Sequence, residues 1–248
     1  MPNGHCEVPL SDAERAIRIV REHAGEWNIN PRKIGIMGAS AGGHLASTLA
    51  THYSAETRPD FQILLYPVVT MLQNTHGGSR NELLGKSPTT EQIRHFSNEL
   101  QVTSDTPQAF IVLSSDDGAV PPSNGVNYYL ALQKNNVPAS LHVYPTGGHG
   151  WGYRDNFKYK QQWTQELEVF LLQENRYVIL LSSQNSVSST QWEEKVCSLV
   201  HELHTVFQNY LNADTCYGVS SAVSKFSALP EAFEHCLLYT SPSPRDYA

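Results

Sequence analysis

The 248-residue sequence lacks three features, and each absence excludes a class of protein. It has no long uncharged apolar stretch, so no segment is expected to span a membrane. Only 17% of its residues are charged and the net charge of -7 is not clustered, so no nucleic-acid partner is expected. Its four cysteines show neither metal-ligand spacing nor a dense disulfide framework, and we predict no metal site and no cofactor.

Hydrophobic residues make up 40% of the chain, which is enough for a core. One stretch rich in small residues contains a candidate catalytic residue. In GIMGASAGGHLA, at positions 35–46, an apolar strand-like run leads to a serine between small residues. Gly38 and Gly42 would let a strand reverse sharply into a helix, with Ser40 projecting at the turn. This nucleophile-elbow pattern makes Ser40 the candidate nucleophile and the Ala41 N–H a candidate oxyanion donor. The alternative is a glycine-rich turn with an incidental serine.

Apolar segments of strand length alternate with helical patterns around this stretch. The predicted strands are 33–37, 61–69, 110–113 and 140–144. Helices are predicted over about 12–27, opened by a capping box at Ser11, and over about 123–134. Residues 75–106 are polar, and we expect either a lid or binding loop or a surface excursion. The alternation predicts an α/β fold with a doubly wound, mostly parallel sheet.

Two further polar residues follow predicted strands. Asp117 comes after the third strand, and His149 lies in a glycine-rich loop after the fourth. Each alone would be an ordinary turn or loop residue, but the chain order Ser40, Asp117, His149 is that of α/β-hydrolases. His149 would take the proton of Ser40, and Asp117 would orient the imidazole. Asp116 is the alternative for that last role.

Four runs of the sequence resemble bacterial α/β-hydrolase carbohydrate esterases of the acetylxylan or xylan esterase kind, related to prolyl-oligopeptidase-like hydrolases. The runs are EWNINPRKIGIMGASAGGHLAST, FQILLYPVVTM, TPQAFIVLSSDDGAVPP and VPASLHVYPTGGHGWG. The resemblance implies Ser40 as nucleophile, Asp117 as acid in an Asp-x-x-Val turn, and His149 as base. It also implies small acyl esters, chiefly acetyl, on plant polysaccharide or oligosaccharide as substrates.

The resemblance also predicts a missing part. Intact members begin with further strands and a glycine-rich segment whose N–H is the second oxyanion donor, whereas this chain starts just before the helix preceding Ser40. Losing one donor typically costs about 100- to 1000-fold in turnover. The strand 33–37 would also become a sheet edge, which favours association. We therefore expect residues 1–172 to be an N-terminally truncated hydrolase domain, poorly soluble and nearly inactive.

The character of the sequence changes after residue 172. Residues 173–235 are predicted to form a small α+β fragment, with strands at 176–181 and 216–221 and a helix at 193–211. The fragment resembles the ligand-sensing or linker region of AraC-type response regulators. It would be joined to the hydrolase domain either by a genuine fusion or by an assembly fault. His201 and His204 have metal-ligand spacing on that helix, but a solvated face is the favoured reading.

Residues 236–248 are not expected to belong to the fold and are predicted to be disordered. The run CLLYTSPSPRD can be encoded by a transposase-type sequencing adapter read straight through. An adapter at this position would also explain an assembly fault near residue 172.

Three functions stay open from the sequence. The first is a serine esterase acting on acylated carbohydrate, and the second is a prolyl-oligopeptidase-like peptidase using the same three residues. The third is a non-catalytic fragment whose intact part is the sensory fold of a regulator. Compartment and oligomeric state are undetermined.

Overall fold

The computed structural model describes residues 6–27 and 29–172, together with the backbone of two short strands at 216–219 and 237–240. The chain divides into two compact units, Met1–Gln184 and Asn185–Ala248. The predicted strand 176–181 and helix 193–211, with His201 and His204, lie outside the described residues.

The first unit is built on a four-stranded sheet in which every neighbouring pair is parallel. The strands are β1 (Gly35–Ala39), β2 (Phe61–Leu65), β3 (Gln108–Ser114) and β4 (Ala139–Tyr144), hydrogen-bonded in chain order. The helices are α1 (Glu7–Glu22), α2 (Ala41–His52), α3 (Gly77–Leu84), α4 (Thr90–His95), the 3₁₀-helix Asn98–Leu100, α5 (Ser123–Lys134) and α6 (Lys160–Leu172). The predicted parallel α/β sheet is confirmed. Among the described residues β1 pairs only with β2, so it lies at an edge.

β2 and β3 are buried on both sides, because helices cover both faces of the sheet. Successive strand residues point to opposite faces. On one face, the rings of Phe61 and Phe110 contact Phe170 of α6, with centroids 6.2 and 5.7 Å apart. On the other face, the Tyr128 hydroxyl of α5 donates a hydrogen bond to Gln62 Oε1 at 3.0 Å. The sheet therefore lies between α5 on one face and α6 on the other.

The predicted helix end at about 27 and the predicted strand 33–37 are wrong, since α1 ends at Glu22 and β1 spans Gly35–Ala39. Two other predicted boundaries are wrong for identifiable reasons. Helix α1 begins at Glu7, and Ser11 lies inside it rather than capping it. Pro9 in the first turn permits this earlier start, because an N–H at that position has no intrahelical partner. Strand β2 ends at Leu65 instead of continuing to Val69, because Tyr66 has a φ of 35° and turns the chain. Helix α5 has the predicted bounds.

Residues 75–106 are attached to the body of the domain at their second half. The Ser97 hydroxyl accepts a hydrogen bond from the Met71 N–H at 2.9 Å. Asn98 Nδ2 donates to Ser47 Oγ of α2 at 2.7 Å and to Thr48 Oγ1 at 3.0 Å. Phe96 is buried in a small apolar cluster. These contacts tie the segment to the helix that follows Ser40.

A buried histidine completes this attachment. His44 of α2 is 5% exposed, and its Nε2 donates to the Phe96 carbonyl at 2.8 Å. Burial lowers the pKa of the His44 imidazole to about 4, because the loss of solvation disfavours the charged form. The imidazole is therefore neutral in the folded protein at neutral pH.

This histidine predicts an acid-sensitive fold. The pKa of His44 is about 4 when folded and about 6.5 when unfolded, so the unfolded chain takes up the proton first as the pH falls. Stability is lost from pH 6.5 downward, by about 2 kcal/mol at pH 4.5. Urea unfolding at pH 7 and pH 4.5 measures the loss. The loss should be smaller in His44→Gln and unchanged in His23→Gln. Equal losses in all three proteins would contradict the assignment.

The second unit is described only by two paired strands. β5 (Cys216–Val219) and β6 (Leu237–Thr240) pair antiparallel. The domain limits 1–172, 173–235 and 236–248 stay predictions. Within the described part of the chain, no helix has the length and apolarity that a membrane crossing needs.

Candidate active site

Ser40 lies in a sharp turn between β1 and α2. Its φ of 57° and ψ of -123° are unusual for a residue with a side chain, and its N–H donates to the Leu65 carbonyl at 3.0 Å. A β-carbon at position 38 would lie 2.0 Å from the carbonyl oxygen of Gly42, so only glycine fits there. At Gly43 it would lie 2.6 Å from Pro67 Cβ. The tight turn holds the Ser40 hydroxyl at the carboxyl end of β1.

The structure brings the three predicted site residues into one hydrogen-bonded chain. Ser40 Oγ lies 2.7 Å from His149 Nε2, and His149 Nδ1 lies 2.6 Å from Asp117 Oδ2. The Asp117 side chain is 1% exposed and that of His149 is 24% exposed. A carboxylate accepting from Nδ1 leaves Nε2 without a proton and facing the serine hydroxyl. This arrangement can draw the proton from Ser40 when the hydroxyl attacks an electrophile.

The two neighbouring aspartates have different partners. Besides His149, Asp117 accepts hydrogen bonds at Oδ1 from the N–H groups of Ala119 and Val120, both at 2.9 Å. Asp116 does not contact the imidazole; it accepts from the N–H groups of Gly147, at 3.2 Å, and Gly148, at 2.8 Å. Asp117 therefore holds the ring, whereas Asp116 holds the loop on which the ring is carried.

Position 147, in the loop before His149, has room for glycine only. Gly147 has a φ of 147°, and a β-carbon there would lie 2.5 Å from the Phe157 ring and 2.6 Å from Ser114 Oγ. Beyond the histidine, the Trp151 ring stacks on Phe157 with centroids 4.1 Å apart. Because both rings are buried, they fix the path of the loop that returns to α6.

Tyr66 is a site residue that the sequence reasoning missed. Its ring packs edge-on against the imidazole of His149, with centroids 4.9 Å apart, and against Trp151 at 4.8 Å. Burial raises the pKa of the Tyr66 phenol to about 12, and the hydroxyl hydrogen-bonds with the backbone of Gly152. Tyr66 thus packs against the imidazole as an uncharged ring. The available signal was its position at the end of a strand beside the one leading to Ser40.

Ala41 occupies the first position of α2, directly after Ser40. N–H groups in the first turn of a helix have no intrahelical partner and point out of its N-terminus. The Ala41 N–H is therefore one that α2 leaves without an intrahelical partner, on the residue next to Ser40. Within residues 6–27 and 29–172, no group of three or more His, Cys, Asp or Glu side chains has a metal-binding arrangement.

The sequence is similar to two curated relatives. It is 42% identical to an acetylxylan esterase of Xylanibacter ruminicola over 176 residues, which cover 69% of this chain and 37% of that protein. It is 39% identical to endo-1,4-beta-xylanase B of Butyrivibrio fibrisolvens over 153 residues, which cover 57% of this chain and 24% of that protein. The chain thus spans well under half the length of either relative.

The fold is similar to that of a solved enzyme over a larger share. The crystal structure of an acetyl ester-xyloside bifunctional hydrolase from Caldicellulosiruptor lactoaceticus matches with a TM-score of 0.67 and 38% identity, covering 70% of this chain and 68% of that one. A model of the α/β-hydrolase-fold family matches residues 2–101. The chain belongs to the α/β-hydrolase family.

Proposed function

We propose that this chain is a serine esterase that hydrolyses acyl esters, chiefly acetyl, of carbohydrates. The observation that carries the proposal is the hydrogen-bonded chain from Ser40 through His149 to the buried Asp117. An esterase is favoured over other serine chemistry because an acetylxylan esterase is among the similar proteins, at 42% identity.

The first half of the reaction would acylate Ser40. The hydroxyl oxygen attacks the acyl carbonyl while His149 Nε2 takes its proton, and the carbonyl oxygen becomes an oxyanion facing the Ala41 N–H. Asp117 stabilises the imidazolium that forms. As the carbon–oxygen bond to the sugar breaks, the imidazolium returns the proton to the leaving hydroxyl.

The second half would release the acid. A water molecule replaces the sugar, His149 takes one of its protons, and the hydroxide attacks the acyl carbon. The tetrahedral intermediate collapses, Ser40 Oγ leaves and receives the proton from His149, and acetate is freed. The Ala41 N–H, in the first turn of α2, is the oxyanion donor that we assign.

A fluorogenic acetyl ester assay tests the function. Purified chain should release the fluorophore faster than the Ser40→Ala variant, and it should also release acetate from acetylated xylo-oligosaccharide. Peptide anilides serve as the comparison, because a prolyl-oligopeptidase-like enzyme would share the same three residues. Cleavage of the anilides without ester hydrolysis would replace the esterase proposal with the peptidase, and activity equal to that of Ser40→Ala on both would contradict a catalytic role.

A further inference from the structure

A cavity of about 270 Å³ adjoins the histidine of the candidate triad. Its wall includes His149 and continues over the buried rings of Trp151 and Phe157. Polar groups from Thr146 and Asn156 also line it. Because both rings are almost wholly buried, the surface that the cavity exposes is mainly polar, which suits a polar ligand such as a sugar.

The charge of this cavity is opposite to that of the chain. Two cations, Arg154 and Lys158, line it, and no acidic side chain is among its lining residues. The chain as a whole has a net charge of -7. Two cations at one concave site can therefore pair with an anion that enters it.

The nearby carboxylates are held by other groups. Asp155 pairs with Lys160 Nζ at 2.7 Å, Asp116 accepts from the N–H groups of Gly147 and Gly148, and Asp117 accepts from His149. Within the described residues, neither Arg154 nor Lys158 forms an ion pair. Both side chains are exposed, with Lys158 Nζ 5.3 Å from the centroid of the Tyr159 ring, so a ligand from solution can reach both cations.

The position of the cavity decides which part of an ester it would hold. In the proposed reaction, His149 returns a proton to the oxygen of the departing alcohol, so the alcohol must lie beside the imidazole. The acyl carbonyl lies instead at Ser40 and the N–H of Ala41. A cavity bordered by His149 thus belongs to the alcohol side of the substrate.

We propose that this cavity is a subsite for an anionic alcohol, with Arg154 and Lys158 binding a carboxylate on the sugar that carries the ester. For a carbohydrate substrate this means a uronic acid within reach of the acylated unit. The inference rests on the proposed esterase function. Arg154 and Lys158 are specificity residues here and take no part in bond making.

A pair of matched esters tests the subsite. The sodium salt of 3-acetoxyphenylacetic acid and its N-methylamide share the acetyl group and nearly the same phenol, and differ by one negative charge. We expect the chain to show a kcat/KM about 5- to 10-fold higher for the anion in low salt, falling towards equality at 0.5 M NaCl as screening grows. Because the comparison is a ratio within one protein, slow turnover does not affect it.

Substitutions of Arg154 and Lys158 test whether these two cations cause the preference for the anionic ester. Arg154→Gln with Lys158→Gln should bring the ratio to about one, and Arg154→Glu with Lys158→Glu should favour the neutral ester. Arg80→Gln with Lys86→Gln removes the same two charges outside the cavity and should keep the ratio. Ser40-dependent hydrolysis with no preference for the anion would overturn the subsite alone. No Ser40-dependent hydrolysis of either ester would overturn the esterase proposal, and this inference with it.

Discussion

A Ser40→Ala variant is expected to lose all covalent labelling by a fluorophosphonate probe. In the native chain the Ser40 oxygen would attack phosphorus and expel fluoride, which requires the proton transfer to His149 that the 2.7 Å contact prepares. Removing the oxygen removes the bond-forming atom. His149→Ala keeps the hydroxyl but not the base, and labelling should slow by about 100- to 10,000-fold.

Intact-protein and peptide mass spectrometry measure this labelling, and the method does not depend on fast turnover. Ser115→Ala is the matched control, because Ser115 follows β3 and its exposed hydroxyl donates only to the Pro145 carbonyl at 2.9 Å. That variant should be labelled at the native rate. Probe found on any residue other than Ser40, or retained in Ser40→Ala, would remove Ser40 as the nucleophile.

Asp117→Asn should slow the same labelling by about 10⁴-fold, the scale expected when the acid of a triad loses its charge. Asparagine keeps the shape, and its amide oxygen can still accept from the N–H groups of both Ala119 and Val120, which bond to the same oxygen of Asp117. Its amide favours the wrong imidazole tautomer, however, and cannot stabilise the imidazolium. The second-order rate constant of labelling, followed between pH 6 and 9, measures the effect.

Asp116→Asn is the neighbouring control, with an expected loss of about tenfold or less, because a side-chain oxygen can still accept the stronger of two backbone hydrogen bonds. Its carboxylate lies 2.8 Å from the Gly148 N–H and is not bonded to the imidazole. A larger loss in Asp116→Asn than in Asp117→Asn would exchange the roles of the two aspartates.

Much of the sheet could be predicted because its signals are local. Apolar runs bounded by glycine and proline gave the four strands in the right order, and α5 has the predicted bounds. The end of β2 could not be predicted, because an apolar run continues past Leu65 and hides the turn at Tyr66. That turn is held by the Tyr66 N–H donating to the Val112 carbonyl at 2.6 Å, a contact between two strands.

In the site, too, local sequence patterns could be read, whereas contacts between distant segments could not. The sequence selected Ser40, Asp117 and His149 by their order and their positions after strands. The order left Asp116 as an alternative, and Asp117 was favoured only through the Asp-x-x-Val turn of the resemblance. The roles of the two aspartates depend on which carboxylate meets the imidazole rather than the backbone of its loop, which is a contact between the segments that follow β3 and β4. Neither the cavity with Arg154 nor the packing of Tyr66 on the imidazole has a local pattern.

The attachment of residues 75–106 has a consequence for how new specificities arise. The segment is anchored at Leu84 and Phe96, which share one buried cluster, and where Ser97 meets Met71 and Asn98 meets α2, while α4 has no buried residue. Material between Leu84 and Phe96 can be exchanged, lengthened or recombined without disturbing the turn at Ser40. Laboratory libraries that graft donor loops between Gly85 and Arg94, and leave the anchors native, should therefore retain the reactive serine in most members.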